Sequence, residues 1–171
     1  MGRLKRYSFI FIFSILIIVL QQALFSRVDI FNATFDLVFV FIICFSLVRG
    51  EMESVAVALF CGIIRDSFFP EVFGINTVIY LVSAYVLGQV QKKIYKDAVI
   101  IPMLSAFSLT IFKALLYFGY LYIASIKFDF RYHVVNVLLL ESIYNSLISL
   151  IIYRVVKKIN IMKIMQQDWR F

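Results

Sequence analysis

The sequence predicts an all-α integral membrane protein of six short transmembrane helices, and three observations carry that prediction. Hydrophobic residues make up 63% of the chain and charged residues 16%, against about 45–50% and about 25% in ordinary soluble domains. Apolar runs such as Tyr7 to Phe25 and Val134 to Tyr153 approach the ~20 residues that cross a hydrocarbon slab ~30 Å thick. Basic residues gather at the ends of those runs, as cytoplasmic anchors do. The mean hydropathy of +0.96 agrees. Six helices of ~20 residues use about 120 positions of the 171, which leaves tails and short loops and no second domain.

The first span is read at 7–25. It follows Arg3, Lys5 and Arg6, and no small-residue cleavage site comes after it, so it is expected to remain uncleaved. The second and third, 36–48 and 54–69, are joined by Arg49-Gly50-Glu51-Met52-Glu53. The second is short enough to suggest re-entry, but re-entry would bury Arg49, Glu51 and Glu53 at several kcal/mol, so two crossings are favoured. The fourth span is 75–90, the fifth 98–126 and the sixth 134–156, followed by a basic tail over 157–171.

An inside N-terminus puts Arg3, Lys5, Arg6, Arg49, Lys92, Lys93, Lys96, Arg154, Lys157, Lys158, Lys163 and Arg170 in the cytoplasm. Arg27, Arg65, Lys127 and Arg131 then lie outside, and Lys113 within the fifth span. Twelve against four satisfies the positive-inside bias, and an odd number of spans would spoil it. The formal charge of +7 therefore reads as membrane anchoring rather than nucleic-acid binding.

The one histidine, His133, and the absence of a phosphate-loop motif remove the usual metal and nucleotide signatures. No enzyme activity, cofactor or metal is expected, and a lipid-modifying enzyme would need paired carboxylates or a metal cluster at one depth. Cys44 and Cys61 sit in apolar runs and read as small buried hydrophobes.

Polar and small residues instead fall into stripes. Ser54, Ala58, Gly62 and Asp66 recur every four residues on the third span, a spacing that lets two helix backbones approach closely. This is a face for another helix of the chain or for a partner. On the sixth span Glu141, Asn145 and Ser149 form one row and Ser142 and Ser146 the next, so that surface has to meet protein or a wet cavity rather than lipid. Lys113, midway along the fifth span, costs roughly 2.5–3.5 kcal/mol if unpaired. Glu141 is one candidate partner, Asp66 its rival, and a watery cleft the third possibility.

The stretch Gly62-Ile63-Ile64-Arg65-Asp66, then Gly74-Ile75-Asn76, then Tyr85-Val86-Leu87-Gly88 resembles the signature region of the rod shape-determining protein MreD family. A short second span opening with Asp36-Leu37, a basic loop after the fourth span, the length and the basic tail are similar too. The resemblance implies a non-enzymatic scaffold of the bacterial cell-wall elongation machinery in the inner membrane. Its partners would be the bitopic protein MreC and, indirectly, the MreB cytoskeleton and a glycan polymerase–transpeptidase pair. The family also resembles the substrate-binding subunits of energy-coupling-factor transporters, which supplies the alternative: a vitamin-type transport subunit with a pocket toward the outer face.

Overall fold

A computed structural model of the chain describes residues 2–25, 35–68, 73–91, 100–123 and 138–162. Arg27, Lys92, Lys93, Lys96, Lys127, Arg131, His133, Lys163 and Arg170, and with them most of the expected tail, lie outside the described residues.

The described residues form six helices: α1 (Gly2–Phe25), α2 (Leu37–Arg49), α3 (Glu51–Ser67), α4 (Ile75–Val90), α5 (Ile100–Ile123) and α6 (Glu141–Ile161). Three differences from the expected boundaries have physical causes. Glu51 and Glu53, expected in a loop, occupy the first turn of α3, where carboxylates favour the positive end of the helix dipole. Helix α6 runs on to Ile161, so Lys157 and Lys158, expected in the tail, lie on its last turns, the end that favours cations. The bend between α2 and α3 takes one residue, Gly50, whose φ of 85° suits a residue without a Cβ.

Helix α2 organises the bundle. Its sequence Leu-Val-Phe-Val-Phe-Ile-Ile-Cys-Phe-Ser-Leu is apolar all round, which favours burial on every side. Every residue from Leu37 to Leu47 is buried, and the other five helices all pack against it. Around it α1 packs on α3, α3 on α4, α4 on α5 and α5 on α6. Thirteen residues rise only about 20 Å, and the residues at its two ends, Asp36 and Gly50, are buried by neighbouring helices.

The α3–α4 pair is the closest contact. A Cβ on Gly62 would stand 2.6 Å from the Thr77 Cα, and one on Gly88 would overlap the Glu51 backbone. Glycine at both ends of an antiparallel pair lets the backbones touch.

Three helices, α1, α5 and α6, are long and apolar enough to cross a membrane by length and composition, while α2 and α4 are shorter apolar helices. The outer faces carry large apolar side chains, among them Ile12 and Val19 on α1, Leu104 and Leu115 on α5, and Leu147 and Ile151 on α6. That much exposed apolar surface is a liability in water and a match for lipid.

Candidate functional site: a charge cluster at the start of the central helix

An α-helix leaves its first N–H groups without intrahelical partners, and at the start of α2 no water shell is available because Asp36 through Phe39 are buried. Three side chains substitute for it. The Asn145 Oδ1 accepts from the Asp36 N–H at 2.9 Å, the Gln21 Oε1 from the Val38 N–H at 2.8 Å, and the Asp36 Oδ1 from the Phe39 N–H at 3.0 Å. These acceptors come from α6, α1 and the N-cap itself.

The cap carboxylate is also the centre of an ion cluster. Lys113 Nζ lies 2.6 Å from Asp36 Oδ2 and 2.9 Å from Glu141 Oε1, and it stands over the Phe39 ring at 5.5 Å. Tyr80, wholly buried on α4, donates its hydroxyl to Asp36 at 3.1 Å and stacks on Phe39 with ring centroids 5.3 Å apart. The Asn145 amide donates to Thr110 Oγ1 at 3.2 Å, and Thr110 donates back to the Ala106 carbonyl at 2.7 Å. Helices α1, α4, α5 and α6 therefore each send a polar side chain toward the start of α2. The Lys113 ammonium is shared by the two carboxylates, so each of these buried charges has an opposite charge beside it.

The sequence pairs Lys113 with Glu141 or Asp66. The structure joins it to Glu141 and to Asp36, and places Asp66 elsewhere. Asp66 Oδ1 accepts from the Asn76 N–H (3.2 Å) and side-chain amide (2.9 Å), and Oδ2 from the Thr77 N–H (3.0 Å) and hydroxyl (2.5 Å). It is an N-cap for α4 donated by α3, a job left open because the residue at the cap position, Gly74 with φ 96°, has no side chain. Glu141 lies in the first turn of α6, within reach of the Lys113 ammonium.

The serine stripes are used in several ways. Ser142 Oγ donates to the Leu138 carbonyl at 2.5 Å, and Ser149 Oγ to the Ser146 carbonyl at 2.6 Å. Ser146 Oγ reaches across to the Met103 carbonyl on α5 at 3.1 Å, and Cys44 Sγ to the Ser149 carbonyl at 3.6 Å. Ser54 donates to the Gly50 carbonyl, and Ser54, Ala58 and Asp66 are fully buried. Cys44 and Cys61 are free and buried.

Gln21, Asp36, Tyr80 and Thr110 are the members that sequence reasoning missed. Asp36 carried a usable signal, an acidic residue just before an apolar run, which is where N-caps stand.

A second polar group holds the other end of α2. Glu53 accepts from Arg6 of α1 at 2.5 Å and from Arg49 at 2.7 Å, while Arg49 Nη1 donates to Asn160 of α6 at 2.7 Å. Among the described residues no group of three or more His, Cys, Asp or Glu is placed to hold a metal ion.

Interior charges paired among helices whose outer faces are apolar define a helical membrane protein. Residues 1–162 match the family described as rod shape-determining protein MreD. The chain belongs to that family, and so acts in rod-shape determination at the membrane. No curated protein and no solved structure matches it.

Proposed function

We propose that the chain is a multi-pass scaffold of the bacterial cytoplasmic membrane that binds MreC. Through MreC it serves the MreB cytoskeleton and a glycan polymerase–transpeptidase pair in sidewall synthesis, without catalysis of its own. The family match over residues 1–162 carries this reading. In it the chain forms one transmembrane unit of six crossings with both termini in the cytoplasm, supported by the twelve-to-four distribution of basic residues.

The small-residue row supports a division of labour. Gly62 is taken up against α4 and Asp66 by the start of that helix, so this row packs the chain itself. The MreC helix is left the outer apolar faces of the bundle, where no water has to be displaced and close van der Waals fit decides affinity.

Depletion in a rod-shaped host tests the reading. Rounded cells with disturbed sidewall growth, and recovery of MreC with the tagged chain from native membranes, are the expected results. Normal rods with a vitamin requirement would overturn it in favour of the transport subunit.

A further inference from the structure

The apolar surface of the bundle is not of one height. Helix α5 carries exposed apolar side chains from Ile100 to Ile123, a rise of about 35 Å. Helices α3 and α4 have only 17 and 16 residues, and polar groups stand near both ends of the pair. On α3, Glu53 and Arg65 bracket a rise of about 18 Å. On α4, Asn76 and Gln89 bracket about 20 Å. Including the exposed Met52 at one end of α3 and Phe68 at the other extends its apolar face to about 24 Å. The hydrocarbon core of a bilayer is ~30 Å thick, so this face is several ångströms short of it while α5 is not.

The pair has no means of making up the difference. Gly62 against Thr77 and Gly88 against Glu51 fix the two backbones together near both ends, so neither helix slides along the other. Arg65 and Asp66 are buried, and Asp66 is tied to Asn76 and Thr77, which keeps these charges within the bundle instead of reaching for the headgroups as a snorkelling side chain does. At the other end Glu53 is held by Arg6 and Arg49. Tilting a short helix lowers its height further. A rigid apolar stretch shorter than the hydrocarbon core is met by thinning of the bilayer beside it.

We propose that the α3–α4 face thins the bilayer and gathers short-chain lipid against it, while the bilayer beside α5 keeps its ordinary thickness. The inference rests on the six-crossing arrangement, in which both helices span the membrane, and is independent of MreC binding. It gives the chain an uneven lipid belt and draws it toward thinner regions of the membrane.

The test reconstitutes the full chain in vesicles of equal parts short-chain (dimyristoleoyl) and long-chain (dierucoyl) phosphatidylcholine, with one or the other lipid brominated. A reporter tryptophan is placed in a Trp169→Phe background, which removes the chain's own tryptophan. Leu59→Trp on α3 and Val82→Trp on α4 report the short face and Leu115→Trp reports α5, all three at exposed positions. The ratio of quenching by short-chain to quenching by long-chain lipid should be about twofold higher at Leu59→Trp and Val82→Trp than at Leu115→Trp. If one of the two short-face variants does not accumulate, the other decides. Equal ratios on the two faces, or a short face that neither lipid quenches, would overturn the proposal. Crossing is read separately with Met52→Cys and Ser67→Cys, both at exposed positions, while Cys44 and Cys61 are buried. An impermeant maleimide should reach the two introduced thiols from opposite sides of the vesicle. Reaction from one side alone would remove the six-crossing arrangement and the proposal with it, whereas opposite-side reaction with equal quenching ratios would overturn the thinning alone.

Discussion

Replacing Asp36 by alanine removes one carboxylate and strands three donors: the Phe39 N–H, the Tyr80 hydroxyl and the Lys113 ammonium. Loss of an N-cap costs about 1 kcal/mol, a neutral hydrogen bond about 1 kcal/mol and a charged one about 1.5–3 kcal/mol. The sum, about 3.5–5 kcal/mol, agrees with the 3–5 kcal/mol typical of breaking a buried ion pair. Polar contacts in bilayers average nearer ~0.6 kcal/mol each, so roughly 2–5 kcal/mol brackets the effect. Glu141 remains beside Lys113 in this variant and holds the loss below the cost of a bare charge. The assay is denaturant unfolding of the purified chain in mixed micelles, run as a cycle with Lys113→Met. Because Lys113→Met removes the stranded ammonium, the double variant should lose less than the sum of the two singles. A single-variant loss under ~0.5 kcal/mol, or additivity of the pair, would refute the argument that this carboxylate centres the cluster.

Glu141→Gln should destabilise less than Asp36→Ala, since Glu141 shares Lys113 with a shorter contact and caps nothing; a second cycle with Lys113→Met should again be sub-additive. Gly62→Leu should separate α3 from α4 and cost at least the ~1–3 kcal/mol of an overpacked core, while Gly119→Ala, where an added Cβ meets nothing within 4 Å, should leave stability unchanged by the same unfolding assay. Asp66→Ala should lower the yield of folded chain, read by size-exclusion profile, more than Asp66→Asn, which keeps one acceptor oxygen. A reporter fused after Phe171 should be active in the cytoplasm and one inserted near Asp129 outside, and the reverse pattern would remove the proposed topology.

Hydropathy alone marks α1, α5 and α6, because a lipid-facing helix has to be apolar over its length. The serine and asparagine rows of α6 are readable for the complementary reason, that polar side chains at i, i+4 spacing need cover. Other features depend on the third dimension. That Lys113 needs a partner follows from its position in the sequence, but that Asp36 supplies it depends on α2 lying between α4, α5 and α6, and the two residues are 77 positions apart. The shortness of α2 is visible in the sequence. Its explanation, a helix whose start is capped by its neighbours, is not, since Gln21 looks like an ordinary polar residue and the row that marks Asn145 does not say which helix it meets until the bundle closes. Asp66 shows the same limit: its row on α3 is periodic, while its bonds to Asn76 and Thr77 arise from the turn that brings α4 back alongside.

The central claim is that the charge cluster holds together the bundle that rod-shape determination requires. Complementation tests it most directly. In a rod-shaped host depleted of its own copy, the wild-type chain should restore rods, and Asp36→Ala at matched membrane levels should leave cells rounded. Full restoration of rod shape by Asp36→Ala at those levels would contradict the account.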